Sequence, residues 1–224
     1  GFNLEGSDTA AIRIADEVMA AQGGRKNWDA TRFLRWNFFG IRRHYWDKYT
    51  GNIRIESLRD STIYLSNINT LKGRARKGAV EITDEWELGK MMQQAKSAWI
   101  NDSYWLFMPF KLKDSGVTLK YLGSSTTEDN RPADVLQLTF EGVGDTPQNK
   151  YHVWVDQETR LVSQWAYFPE ATDSVPRFVT PWKDYQPYGN ILLASDRGRG
   201  KITEIAVYDS LPDSVFTSFA EVKR

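Results

Sequence analysis

The sequence predicts a predominantly antiparallel β fold with two principal α-helices, and three observations lead there. Residues 31–77 read as five β-rich segments in succession, punctuated by Gly40, Thr50-Gly51, Arg59-Asp60 and Lys72-Gly73. Connections that short make hairpins and leave no room for the crossover helices of a parallel sheet. Two further segments, 9–22 and 84–101, space their apolar residues at the helical period. Residues 151–168 read as two strands around the polar turn Asp156-Gln157-Glu158-Thr159, a hairpin that needs more strands or a helix across one face to hold in water.

A chain of 224 residues and 25.8 kDa is long enough for one large core, and β-rich single domains reach this size; one domain over residues 1–224 is the expectation. With 29 basic and 29 acidic residues, net charge gives no reason to expect a nucleic-acid partner. The charge is unevenly placed: residues 42–77 hold nine Lys or Arg against three acids, and residues 128–184 ten acids against five bases. This reads chiefly as solvated outer strand faces, with orientation of a docking partner as the functional alternative. The absence of cysteine excludes disulfides, thiol nucleophiles and all-cysteine metal sites. The chain has neither a basic leader followed by an apolar stretch nor an apolar run long enough to cross a bilayer.

In chain order, Ser7 or Asp8 can cap the helix of residues 9–22, with Ala11, Ile14 or Ala15, Val18 and Gln22 along one side, Ile12 and Met19 widening the apolar stripe, and Gly23-Gly24 as its stop. Trp28 follows in a polar connection, where it reads as a plug over the end of the core. The meander then comprises 31–39, 42–49, 52–59, 62–69 and 72–77. Leu34, Trp36 and Phe38 share one face of its first strand, His44 and Trp46 one face of its second, and Ile53 and Ile55 one face of its third. Arg43, Asp47, Arg54, Glu56, Arg74 and Arg76 interrupt the pattern, so the strands read as half-exposed. Lys72-Gly73-Arg74-Ala75-Arg76-Lys77 reads as an edge strand protected by charge. In the helix of residues 84–101, Asp84 is the candidate cap, and Glu85 and Glu87 suit the dipole of the first turn. Asn101-Asp102-Ser103 is expected to end that helix. Tyr104 to Phe110 is the densest apolar segment, and Pro109 predicts a crossing beneath the sheet or an edge strand there. Strands over 117–123, 135–140, 151–155, 161–168, 190–194 and 202–208 complete roughly eleven.

The search for chemistry gives structural answers. His44 and His152 are the only histidines; each sits in a strand pattern and reads as a structural or surface residue. There is no HExxH arrangement for zinc, no GxSxG nucleophile turn and no phosphate-binding glycine motif. Gly198-Arg199-Gly200 reads as a hairpin loop and Asp156 as a turn former. Catalytic residues, cofactor and metal are therefore expected to be none. The positive signal is aromatic: nine Trp, ten Tyr and eleven Phe suit either a large core or a cavity that accepts flexible acyl chains.

The segments Asn101-Asp102-Ser103-Tyr104-Trp105-Leu106-Phe107-Met108-Pro109-Phe110-Lys111-Leu112 and Tyr151-His152-Val153-Trp154-Val155-Asp156-Gln157-Glu158-Thr159 resemble the LolA-like and LolB-like bacterial lipoprotein-localisation group, especially its uncharacterised exported or lipoprotein relatives. The resemblance extends over almost the whole chain as an order of elements. It implies a strongly curved, incomplete β-barrel with helices across the concave side, and a noncatalytic role in binding or transporting an acyl lipid or lipidated protein. It also implies the bacterial periplasm or cell envelope, with a further envelope protein as partner and peripheral or lipid-anchored membrane association as an outer-membrane lipoprotein. In that arrangement the candidate cavity residues are Leu34, Trp36, Phe38, Trp46, Tyr64, Met92, Trp99, Trp105 and Phe107. The competing reading is a protein-interaction or structural scaffold using the exterior sheet; an enzyme is third.

Overall fold

The alternation in residues 31–77 is realised in a computed structural model that describes residues 1–223. There β1 (Phe33–Phe38), β2 (Arg42–Asp47), β3 (Asn52–Ser57), β4 (Thr62–Asn67) and β5 (Gly73–Lys77) pair antiparallel in chain order. Two further strands widen the sheet to seven: β6 (Val80–Glu81) pairs with β5, and β14 (Thr203–Tyr208) pairs antiparallel with β1. The run 72–77, read as an edge, is covered by the two-residue β6 only at Arg76 and Lys77. Gly73 is required by a close approach, because a Cβ there would lie 1.9 Å from the Leu65 carbonyl oxygen.

Register sorts the side chains of this sheet into two faces, since successive residues of a strand point to opposite sides. On one face, Trp36, His44, Ile55, Tyr64 and Ala75 lie opposite one another from strand to strand, as do Leu34, Trp46 and Ile53. The other face carries the rows Arg43, Glu56, Ile63, Arg76 and Tyr45, Arg54, Leu65, Arg74.

Helix α3 (Glu85–Phe107) crosses the apolar face. Asp84 caps it, its carboxylate accepting the Glu87 N–H at 2.8 Å. Met91 and Met92 pack with Ala75 and Tyr64, Trp99 meets Trp46 at 5.2 Å, and Trp105 meets Phe38 at 6.3 Å. The helix does not stop at Asn101-Asp102-Ser103. Asp102 and Ser103 are buried, and the Asp102 carboxylate is neutralised by Arg42, so the polar triplet has no reason to break the helix. Tyr104 to Phe107 continue it, and a 3₁₀ turn over Met108–Phe110 follows; Pro109 is accommodated in that first turn, where its missing N–H has no bond to lose.

The charged face is not a simply solvated surface either. The segment around α4 (Ser214–Thr217) lies on it: Phe216 stacks with Phe33 at 6.3 Å, and the Arg74 and Arg76 guanidinium groups lie over Phe219 at 4.6 and 5.2 Å. Arg54, only 1% exposed, donates to the carbonyls of Val215, Ser218 and Ala220 at 3.2, 2.5 and 2.9 Å. Three carbonyls of the covering segment satisfy the donors that burial would otherwise strand.

The chain divides into two compact units, one formed by residues 29–105, 188–190 and 200 onward, which holds this sheet, and one formed by residues 1–28, 106–187 and 191–199. In the second unit β7 (Val117–Thr126), β8 (Pro132–Phe140), β9 (Lys150–Asp156), β10 (Val162–Phe168) and β11 (Phe178–Pro181) form an antiparallel sheet in the order β11-β10-β9-β8-β7, while β12 (Lys183–Tyr188) and β13 (Ile191–Asp196) pair separately. Helix α1 (Thr9–Ala21) buries Ala11, Ile14, Ala15 and Val18 as its spacing predicts. Asp8 occupies the N-cap but makes no side-chain cap bond; its carboxylate accepts the Tyr121 N–H at 2.8 Å, tying the helix start to β7. Gly23 and Gly24 end α1 with φ of 125° and 91°. Trp28, in the short α2 (Arg25–Ala30), stacks on Phe110 at 4.4 Å and so does plug this core. Asp156 closes the β9–β10 turn by accepting the N–H groups of Glu158 and Thr159, each at 2.9 Å. The strands expected from the sequence are all present; β6, β11, β12 and the short helices α2 and α4 are additional. Among the described residues neither large sheet closes on itself, and the fold is antiparallel β with helices and without a closed barrel.

Candidate functional site

The strongest convergence of unusual side chains lies between α3 and the apolar face of the seven-stranded sheet. Alternation along β1 puts Leu34, Trp36 and Phe38 there, β2 contributes Trp46 and β4 contributes Tyr64, while α3 supplies Met92, Trp99 and Trp105. Trp36 meets Trp46 edge-on at 6.4 Å, Trp46 meets Trp99 at 5.2 Å, and Phe39 adds an edge contact to Trp105 at 5.6 Å. Leu34 and Trp36 are fully buried, and Phe38, Trp46 and Met92 nearly so. Phe107, the remaining candidate, belongs to the other unit, where its ring lies 5.6 Å from Trp28.

A buried polar cluster sits in this aromatic wall. The His44 ring stacks on Trp36 with centroids 4.6 Å apart and planes within 5°, and its Nε2 is 2.6 Å from Asp102 Oδ2. Arg42 approaches the same carboxylate in bidentate fashion, Nε to Oδ2 at 2.6 Å and Nη2 to Oδ1 at 2.8 Å, and Asn101 Nδ2 donates to Oδ1 at 3.0 Å. Burial pushes the Asp102 carboxyl up, but the hydrogen bonds from Arg42 and His44 outweigh it and hold the group below the usual carboxylate range. Burial also pulls the His44 imidazole below its ordinary value, against the raising effect of Asp102, so the ring is neutral at pH 7.

These states fix the tautomer. An ionised carboxylate only accepts, so the His44 proton is on Nε2 and Nδ1 is a lone-pair acceptor. Among the described residues that buried Nδ1 has no hydrogen-bond partner, nor has the buried Nε1–H of Trp99. The Asp102 oxygens, by contrast, are engaged by three side chains, which makes the carboxylate a latch between α3 and β2 rather than a free base. The arrangement is thus a buried aromatic wall in which His44 Nδ1 and Trp99 Nε1–H have no hydrogen-bond partner among the described residues.

Sequence reasoning placed the aromatic side chains here and read His44 as structural, but it missed Arg42 and Asp102. The signal available was weak: a lone Asp within an apolar helical stripe, 58 positions from its histidine. His152 is in the other unit, half-buried and 3.3 Å from Gln137 Oε1. Among the described residues no group of three His, Asp or Glu side chains is placed to hold a metal ion, and no helix is long and apolar enough to cross a membrane.

No protein-family model matches the chain, and no curated protein sequence matches it significantly. Solved structures do. A DUF1329 family protein from Desulfovibrio piger superposes with a TM-score of 0.50 at 12% identity, covering 93% of this chain and 97% of that one. A LolA superfamily protein from Nitrosomonas europaea is similar over the same proportions, with a TM-score of 0.42 and 12% identity. At 12% identity the likeness to the DUF1329 family protein concerns the fold alone.

Proposed function

We propose that residues 1–224 act as one LolA-like domain that binds or carries, without catalysis, an acyl lipid or a lipidated protein in the bacterial periplasm or cell envelope, with an outer-membrane lipoprotein as one form of it. The observation that carries this reading is the assembly of Trp36, Trp46, Trp99 and Trp105 with Phe38 on one side of a sheet. Large rigid side chains give broad apolar contact at low entropic cost, and a few polar atoms among them suffice to orient a headgroup or ester. His44 Nδ1 and Trp99 Nε1 are such atoms among the described residues. Under this reading an acyl chain inserts against the aromatic wall when α3 lifts from the sheet, and Asp102 sets how readily it does so.

The test is a titration of the purified, delipidated protein with monomeric fatty acids or lysolipids of increasing chain length, kept below their aggregation concentrations and followed by Trp fluorescence. Each methylene removed from water contributes at most about 0.8 kcal/mol, reduced by chain ordering and by opening of the site. Affinity that rises steadily with chain length, and falls in Trp99→Gln and Trp105→Gln, is the expected result. No saturable binding anywhere in the series refutes the carrier reading and leaves an interaction module using the exterior sheet in its place.

A further inference from the structure

The face of the seven-stranded sheet opposite α3 contains a cavity of about 360 Å³, at the small end of the range of ligand pockets. Its lining brings Arg43, Arg54 and Arg76 together with Leu58, Ile63 and Phe219. The arginines differ in what they hold. Arg43 pairs with Glu56 at 2.8 Å and Glu204 at 3.0 Å, and Arg54 pairs with Glu56 at 2.7 Å besides its three carbonyls. Arg76, among the described residues, has no hydrogen bond or ion pair; its Nε is buried without a partner, and its contact is the Phe219 ring. Its cross-strand neighbours explain this: Ile63 is apolar, and both oxygens of Glu81 are taken by Arg74 at 2.7 and 3.1 Å.

A guanidinium whose buried donor has no acceptor, beside a wall of apolar side chains, is half of a recognition pair. We propose that this cavity is a binding site for a small amphiphilic anion, whose carboxylate or phosphate accepts from Arg76 and whose short apolar stem lies against Leu58, Ile63 and Phe219. Arginine suits either oxyanion because its planar fork presents two parallel donors. Glu221 also lines the cavity and opposes an anion there, which gives the site a built-in weakening that substitution can remove. The site is on the other face of the sheet from the aromatic wall, so it stands or falls independently of the carrier reading.

Calorimetric titration with hexanoate, hexyl phosphate and inorganic phosphate separates the sources of the oxyanion. At least one of the two amphiphiles is expected to bind 1:1, and hexyl phosphate more tightly than inorganic phosphate. Arg76→Gln should weaken that binding about tenfold or more, Arg76→Lys should retain part of it, Glu221→Gln should tighten it, and Trp99→Gln should leave it unchanged. Thermal melts establish that each variant is folded; should Arg76→Gln not fold, the Glu221→Gln arm decides. The proposal is overturned if neither amphiphile binds saturably, if inorganic phosphate binds as tightly as hexyl phosphate, if folded Arg76→Gln binds like the wild type, if Trp99→Gln weakens binding as Arg76→Gln does, or if Glu221→Gln fails to tighten it.

Discussion

Replacing Asp102 by alanine would remove the carboxylate on which three side chains converge. The Arg42 guanidinium, 28% exposed, would lose its counter-charge, and the His44 ring, fully buried, would lose the acceptor of its Nε2–H. Removing one member of a buried ion pair costs about 3–5 kcal/mol, because the partner stays in place uncompensated. Arg42 can draw water through its exposed portion, so the low end, about 3 kcal/mol, is expected. At roughly 2–4 °C per kcal/mol for a chain of this size, Tm should fall by roughly 6–12 °C. Asp102→Asn keeps the volume and an acceptor for His44 and should cost about half as much. Urea unfolding monitored by the fluorescence of the nine tryptophans is the assay. A loss below about 1 kcal/mol in Asp102→Ala, or additive losses in a cycle pairing it with Arg42→Ala, would refute the picture of a coupled latch.

Two other perturbations follow from features away from that latch. Arg54→Ala removes the donor held by the carbonyls of Val215, Ser218 and Ala220; proteolysis near α4 should accelerate about tenfold or more while the Trp fluorescence of the α3 face stays as in the wild type, and an unchanged cleavage rate would contradict the clamp. Burial, with Lys150 beside it, pulls the His152 imidazole down to about 4. Because the unfolded state then binds more protons, stability is full above the ordinary value near 6.5 and is lost as pH falls from there towards 4; partial exposure reduces the loss to about 2 kcal/mol. His152→Gln should flatten Tm between those pH values, and an acid limb as steep as that of the wild type would show that other groups set it.

What was legible in the sequence depended on how far apart the determining residues lie. The meander and its faces follow from the alternation of Leu34, Trp36 and Phe38 and from the short turns between strands, both local signals. The Asp156 turn and the glycine stop of α1 are local as well. By contrast, the end of α3 was misjudged because Asp102 breaks a helix only if its charge is unmatched, and the matching Arg42 is 60 positions away. Arg54 reads as a solvated strand residue until a segment more than 160 positions later lies over it. The aromatic wall was visible because it needed only strand parity and a helical stripe; the polar groups within it were not, because each takes its meaning from a partner on another element.

The pairing of β14 with β1 also governs when the protein can fold. Asn37 of β1 and Glu204 of β14 are hydrogen-bonded across 167 positions of sequence, so during synthesis β1 stands as an open sheet edge until β14 has been made. At about 5–20 residues per second, that interval lasts on the order of ten to thirty seconds. Through it, an apolar strand bearing Leu34, Trp36 and Phe38 has unpaired backbone groups along one side, the condition under which edge-to-edge association competes with folding. The nascent chain is thus most vulnerable at its first strand, and slowing translation between β1 and β14 should lower the yield of native protein more than slowing it anywhere after Tyr208.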